Sequence, residues 1–322
     1  MTVVSQTSPP PPRLDPAKFR DPHRTARGEV RAQVALARLT TLWLNTGSLC
    51  NLACSNCYIE SSPTNDRLAY LSAAEAVAFL DEIARDAWPV REIGFTGGEP
   101  FMNRDILAML AAALDRGFEV LVLTNAMRPM MKLAQPLLAL HLAHPGRLTL
   151  RVSLDHWGPD LHERERGAGS WAPAVEGLDW LCANGFAPHV ASRLMWGESE
   201  AEARAGFRAL FAARGWAIHA EDPAGLVLFP EMDARLDVPE ITTACWSILN
   251  VSPEAMMCAS SRMVVKRRGA TTPVVLPCTL LPYDTAFEMG ARLAEAAGPV
   301  TLNHPHCARF CVLGGASCSP VA

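Results

Sequence analysis

The chain has 322 residues, 49% of them apolar and 19% charged, with a net charge of −4 at pH 7 and a pI near 6.1. That is the composition of a globular protein long enough for one large domain and one small one, and its slight acidity excludes the electrostatic footprint of a nucleic-acid or anionic-membrane binder. No apolar run reaches the ~18 residues a membrane span needs, and ten cysteines behind a start without a secretory signal predict a reducing, cytoplasmic setting where thiols serve metals or catalysis.

Residues 1–38 open with Ser-Pro-Pro-Pro-Pro-Arg-Leu-Asp-Pro, which predicts an extended surface segment. Strand and helix patterns then alternate. Thr41–Gly47 reads as a strand, and Ser72 with Glu75 forms a capping box for a helix carrying Val77, Leu80, Ile83 and Ala84 on one face. Arg91–Thr96 is the next strand, followed by a helix over Arg104–Arg116 that stops at Gly117. Phe118–Asn125, Leu148–Asp155, Phe186–Trp196 and Gly225–Phe229 continue the strand series, with Gly185 and Gly215 as further helix stops. Six such units predict an α/β domain over residues 39–235, a parallel sheet curved into most of a barrel, since eight units typically take ~250 residues. Active sites of barrels sit at the C-terminal strand ends, and the polar motifs of this chain all fall there.

The first motif is Cys-Asn-Leu-Ala-Cys-Ser-Asn-Cys-Tyr, which puts Cys50, Cys54 and Cys57 in one short loop ahead of Tyr58. No other Cys or His lies between Leu49 and Leu140, so the three thiols form a ligand set one short of the usual four. The second is Thr-Gly-Gly-Glu-Pro, Thr96 to Pro100, at the end of the second strand. Spacing and order together resemble the radical S-adenosylmethionine (radical SAM) enzymes. The resemblance implies a partial (β/α)6 barrel and a [4Fe–4S] cluster on Cys50, Cys54 and Cys57 whose fourth iron is chelated by SAM. It also implies that Gly97 and Gly98 let the backbone approach SAM closely, with Tyr58 and Pro100 in the same binding segments and Glu99 accepting from the SAM ammonium. The segment Arg151–Gly167 is similar to the fourth-strand region of the molybdopterin-precursor synthase and peptide-maturase branch. By that likeness Ser153 contacts SAM, Asp155 points into the cavity, and His162 and Arg166 fix the loop. Arg193 either binds the SAM carboxylate or makes a structural ion pair. His156 reads as loop polarity and Cys182 as a core thiol.

Residues 236–322 form a second, cysteine-rich part, predicted as a small α+β domain. Cys258–Cys278 reads as two β-branched strands around a turn near Gly269, a hairpin that brings its two terminal thiols together. This resembles the SPASM or twitch extension of radical SAM enzymes, which carries auxiliary clusters. Gly269 stands eight residues before Cys278 where four is usual, and the Cys307, Cys311, Cys318 spacing departs from the SPASM ending. One auxiliary [4Fe–4S] cluster drawing on Cys258, Cys278, Cys307, Cys311 and Cys318 is the reading, five candidates for four places. A structural zinc site using His304 or His306 is the competitor. Cys245 reads as a packed thiol.

The expected activity is reductive cleavage of SAM to a 5′-deoxyadenosyl radical that takes hydrogen from a small-molecule or peptide substrate, with flavodoxin or ferredoxin as electron donor. Maturation of a ribosomally made peptide is the alternative, against which stands the short stretch ahead of the barrel, too brief for a leader-binding domain. A non-catalytic iron–sulfur or zinc scaffold is the alternative of another class.

Overall fold

The computed structural model describes residues 12–315, so most of the proline run and Cys318 lie outside the described residues. In chain order the elements are β1 (Gln33–Val34), β2 (Thr41–Asn45), α1 (Ala73–Arg85), β3 (Glu92–Thr96), α2 (Ile106–Asp115), β4 (Glu119–Thr124), α3 (Arg128–Met131) and α4 (Ala134–Ala143). They continue with β5 (Leu148–Ser153), α5 (Pro159–Arg166), α6 (Trp171–Ala183), β6 (His189–Leu194), α7 (Glu200–Arg214) and β7 (Leu226–Pro230). The C-terminal part adds α8 (Cys245–Leu249), β8 (Ser261–Val265), β9 (Val274–Leu276), β10 (Val300–Thr301) and a π-helical turn, Cys307–Val312. All six predicted barrel strands are present, five trimmed at their ends and the last shifted by one residue to Leu226–Pro230, and β2 to β7 pair in parallel in sequence order.

Alternation along the strands sorts side chains onto two faces. Leu42, Leu44, Ile93, Phe95, Val120 and Val122 face the helices and form one core with Phe79, Leu80, Leu110 and Leu178. Trp43, Leu121, Met263 and Val265 point the other way and join Val34, Leu276, Val300 and Phe310 in a second. Each such side chain contributes roughly 1.5–3 kcal/mol by leaving water. Opposite Trp43 only glycine fits, because a Cβ at Gly94 would come within 2.4 Å of the indole ring.

Helix boundaries follow local chemistry. The Ser72–Glu75 capping box forms as expected, a second box of Ser199 and Glu202 opens α7, and α7 stops at Gly215 in the left-handed conformation, φ 69°. Gly117 and Gly185 also have positive φ at their helix ends. The helix predicted from Arg104 begins two residues later, at Ile106.

The hairpin is not confined to the C-terminal part. β8 pairs in parallel with β2, so the sheet runs β7-β6-β5-β4-β3-β2-β8-β9 and the hairpin extends the barrel edge. Its turn passes through Gly269 with φ 78°. The segment before the barrel is tied down as well: β1 pairs with β10, and Arg31 forms a buried ion pair with Glu240 at 2.5 Å. Among the described residues no helix is long and apolar enough to cross a membrane.

Candidate active site

A cleft with about 1050 Å³ of empty space, part of it open to solvent, lies at the C-terminal strand ends. Its wall brings together Cys50, Cys54, Cys57 and Tyr58 with Gly97 and Gly98. Ser153 of β5, Asp155 in the loop after it, Arg166 at the end of α5 and Arg193 of β6 line the same space. Glu99 and Pro100 are not on that wall. Pro100 begins a 3-10 turn and is buried, and the Glu99 carboxylate accepts from the Thr124 hydroxyl (2.8 Å), the Asn125 N–H (2.8 Å) and the Phe101 N–H (3.2 Å). Glu99 therefore braces its own turn against the end of β4.

The glycine pair, on the cleft wall, also serves the cysteine loop. A Cβ at Gly98 would stand 2.1 Å from the Leu49 carbonyl oxygen, and one at Gly97 2.5 Å from that of Gly47. What the missing side chains admit is the backbone leading to Cys50. The Gly98 N–H donates to the Gly47 carbonyl (2.8 Å) and the Glu99 N–H to that of Leu49 (3.1 Å).

The far side of the cysteine loop is held by a residue the sequence reading missed. Glu165, buried near the end of α5, accepts from both the N–H and the Nδ2 of Asn56 at 2.9 Å, and its carbonyl accepts from the Ser55 N–H at 2.8 Å. Its carboxylate also meets Arg193 Nη1 at 3.3 Å. The structural ion pair considered for Arg193 is thus formed. Arg166 pairs with Asp155 at 2.7 Å, as a loop fastener should. The His162 ring fastens nothing by hydrogen bonds: among the described residues both ring nitrogens lack partners, Trp171 packs edge-on, and burial pushes its pKa down to about 4. The spacing that placed His162 and Glu165 one turn apart on α5 was the signal available for this buried face.

Burial pushes the Cys50 thiol up to about 12 and the Cys54 thiol up to about 11, the latter offset in part by the charge of Arg166. A coordinating metal reverses that preference and holds the thiolate. The donor set fits a [4Fe–4S] cluster with one open iron: three free thiols on one wall and, among the described residues, no fourth beside them. The cleft also fits a polar ligand next to it, because the buried hydroxyls of Ser61 and Ser192 line it without a partner among the described residues. No three His, Cys, Asp or Glu side chains among the described residues are grouped to grip a single ion; ligands of a four-iron cube each bond a different iron.

Cys258, Cys278, Cys307 and Cys311 line a second cavity of about 370 Å³. His306 is on its wall, with Nδ1 unpartnered among the described residues, whereas the His304 ring turns back to accept from the His306 N–H at 3.1 Å. Leu280 lines both cavities, and Phe310, between Cys307 and Cys311, lines the first against Phe229 at 5.4 Å between ring centres. Cys182 packs on the barrel core, and Cys245 accepts from Thr242, as packed thiols do.

Burial pushes the Glu99 carboxyl up to about 7 from an ordinary 4.5, against the pull of the Asn125, Thr124 and Phe101 donors. A carboxyl raised in the folded state stabilises the fold fully below its ordinary value and loses that contribution as pH climbs through the raised one. Stability of the SAM-free protein should therefore fall between pH 4.5 and 7, by up to about 3 kcal/mol at 1.36 kcal/mol per unit. Urea unfolding of wild type and Glu99→Gln across that range isolates the effect: the variant should lack the slope, and equal slopes would clear Glu99 of it.

Residues 44–204 match the sequence profile of the radical SAM superfamily. The chain is 33% identical over 138 residues to the mycofactocin maturase MftC of Mycobacterium ulcerans, a match covering 43% of this chain and 35% of that protein. It is 32% identical over 130 residues to the Fe-coproporphyrin III synthase of Methanosarcina barkeri, covering 40% of this chain and 30% of that one. Each match thus spans about a third of the relative's length. Among solved structures, SuiB of Streptococcus suis bound to S-adenosylmethionine superimposes with a TM-score of 0.58 at 14% identity, covering 79% of this chain and 64% of that one, a likeness of fold.

Proposed function

This chain belongs to the radical SAM superfamily, and from that premise we propose that Cys50, Cys54 and Cys57 hold its [4Fe–4S] cluster and that SAM binds in the adjoining cleft. The observation that carries the reading is the meeting of those thiols, the Gly97–Gly98 turn, Ser153 and Arg193 on one wall. Bound there, cluster and SAM supply a 5′-deoxyadenosyl radical that takes hydrogen from a substrate, with electrons from a flavodoxin- or ferredoxin-type donor.

The chain's own residues prepare this chemistry. The Gly98 and Glu99 N–H groups hold one side of the cysteine loop and Glu165 the other, so the ligand positions are set before the cluster arrives. Ser153 and Ser192 offer hydroxyls to the polar end of SAM, and Arg193, oriented by Glu165, offers charge to its carboxylate. Leu123, Ala191, Phe229 and Phe310 close the apolar side of the cleft and exclude water from the reacting groups. The substrate is a small molecule or a peptide side chain; the relatives' names point to mycofactocin and to Fe-coproporphyrin III, and neither is favoured by a residue of this cleft.

A second [4Fe–4S] cluster on Cys258, Cys278, Cys307 and Cys311 is supported by their shared cavity, which supplies the four thiols such a cluster takes. His306 on the same wall keeps zinc as the competing occupant. The test of the main reading is release of 5′-deoxyadenosine from SAM by the anaerobically reconstituted, dithionite-reduced protein. Release above the rate of the free reductant is expected, and its absence from protein carrying a full first cluster would overturn the proposed use of the cleft.

A further inference from the structure

Arg262 lies in β8 with no exposure to solvent. Its guanidinium donates to main-chain carbonyls: Nε to Ala296 (2.8 Å), Nη1 to Cys258 (2.7 Å) and Ser261 (2.8 Å), and Nη2 to Gly298 (3.2 Å). Among the described residues no carboxylate pairs with it. Arg31, Arg166 and Arg193, by contrast, have Glu240, Asp155 and Glu165 as their partners. A buried cation without an anion is costly to a fold, and arginine does not escape by losing its proton. The hydrogen bonds engage four of its five N–H groups and leave its charge uncompensated.

The groups beside it that can supply negative charge are thiols. The Cys258 carbonyl accepts from Nη1 at 2.7 Å, and Cys258 and Cys278 both line the second cavity. Four cysteinates around a [4Fe–4S]2+ core carry a net charge of −2, which becomes −3 on one-electron reduction. A fixed cation at such a centre offsets its charge and favours the more negative, reduced state.

We propose that Arg262 is the built-in counter-cation of an anionic iron–sulfur centre on Cys258, Cys278, Cys307 and Cys311, and that it raises that centre's reduction potential. The assignment rests on the second-cluster reading. The full-length protein with Cys50, Cys54 and Cys57 changed to alanine isolates the site, and iron content tests that reading first: no iron in this background removes the centre and Arg262's role with it.

With iron present, the counter-cation is tested separately by dye-mediated redox titration followed by electron paramagnetic resonance. Arg262→Gln should reduce the ratio of reduced to oxidised centre at a fixed potential at least tenfold, a shift of 59 mV for one electron toward more negative values. Arg262→Lys, which keeps the charge and loses the fork of hydrogen bonds, should stay near wild type. Equal potentials in all three proteins, or a lysine variant that shifts as far as the glutamine one, overturn the proposal. Should Arg262→Gln fail to load iron, loading decides: rescue by Arg262→Lys supports the charge, and failure of both variants assigns Arg262 to hydrogen bonding alone.

Discussion

Replacing Cys50, Cys54 and Cys57 together with alanine should lower the iron of the reconstituted protein from about eight to about four atoms per chain and reduce SAM cleavage to background, by the stoichiometry of two four-iron clusters. The effect is expected to be total because the cluster proposed on these thiols is where SAM would be activated and, among the described residues, no other cysteine stands on the cleft wall. The fold should survive. The Cys50 N–H donates to the Ser62 carbonyl, Asn125 Nδ2 to Asn51 Oδ1 (2.9 Å), and Glu165 holds Asn56, so the loop stays anchored by groups other than its thiols. Burial raises both the Cys50 and the Cys54 thiol, so their loss from the metal-free protein removes no buried charge. Iron analysis and chromatography of 5′-deoxyadenosine check the outcome. Cleavage that persists in the triple variant would sink the ligand assignment, and a remainder of one zinc with no iron would turn the second cavity into a structural zinc site.

Gly98→Ala should cost nearly as much activity with all ligands intact. Its methyl carbon would sit 2.1 Å from the Leu49 oxygen, 2.5 Å from the Leu49 carbonyl carbon and 2.7 Å from the Ser48 oxygen. These are backbone atoms one and two residues ahead of Cys50, and they have no rotamer with which to move aside. Relief requires the two loops to part, which breaks the Gly98–Gly47 and Glu99–Leu49 hydrogen bonds and shifts the first thiol. Stability should fall by about 1–3 kcal/mol, as for overpacking elsewhere, and first-site iron should fall with SAM cleavage while second-site iron stays. Gly185→Ala is the control: φ is +79° there but nothing lies within 4 Å, so it should cost about 1 kcal/mol of stability and no iron. Equal iron in the two variants would show that the close approach at Gly98 is not what holds the loop in register.

The barrel was legible because its information is local. Alternating apolar residues marked β2 to β7, and Gly117, Gly185 and Gly215 marked the helix ends that separate them. From strand order alone the motifs fell on one rim, where the cleft is. Non-local pairings were the part that could not be read. Nothing in Ser261–Val265 announces that it lies beside β2, since parallel pairing depends on the whole sheet being assembled. The same limit explains Glu99: a carboxylate after two glycines looks available to a cation, and only the placement of β4 brings Thr124 and Asn125 to occupy it. The glycine pair was recognised, but its use in joining two loops required knowing that the loops touch. Glu165 was invisible for a related reason, as a charged residue in a run of charges that topology turns inward onto Asn56.

The pairing of β1 with β10 bears on the order in which the protein is completed. Val300 and Leu302, in and beside β10, line the second cavity, and Arg31 reaches the Leu302 carbonyl across 271 residues of chain. Closing so long a loop precedes any return from the contact, so it comes late in folding. By contrast the cysteine loop, Gly97–Gly98 and Glu165 all lie between Cys50 and Arg166 and can assemble as soon as that stretch has left the ribosome. The ligand set proposed for the first cluster is therefore complete well before the one proposed for the second.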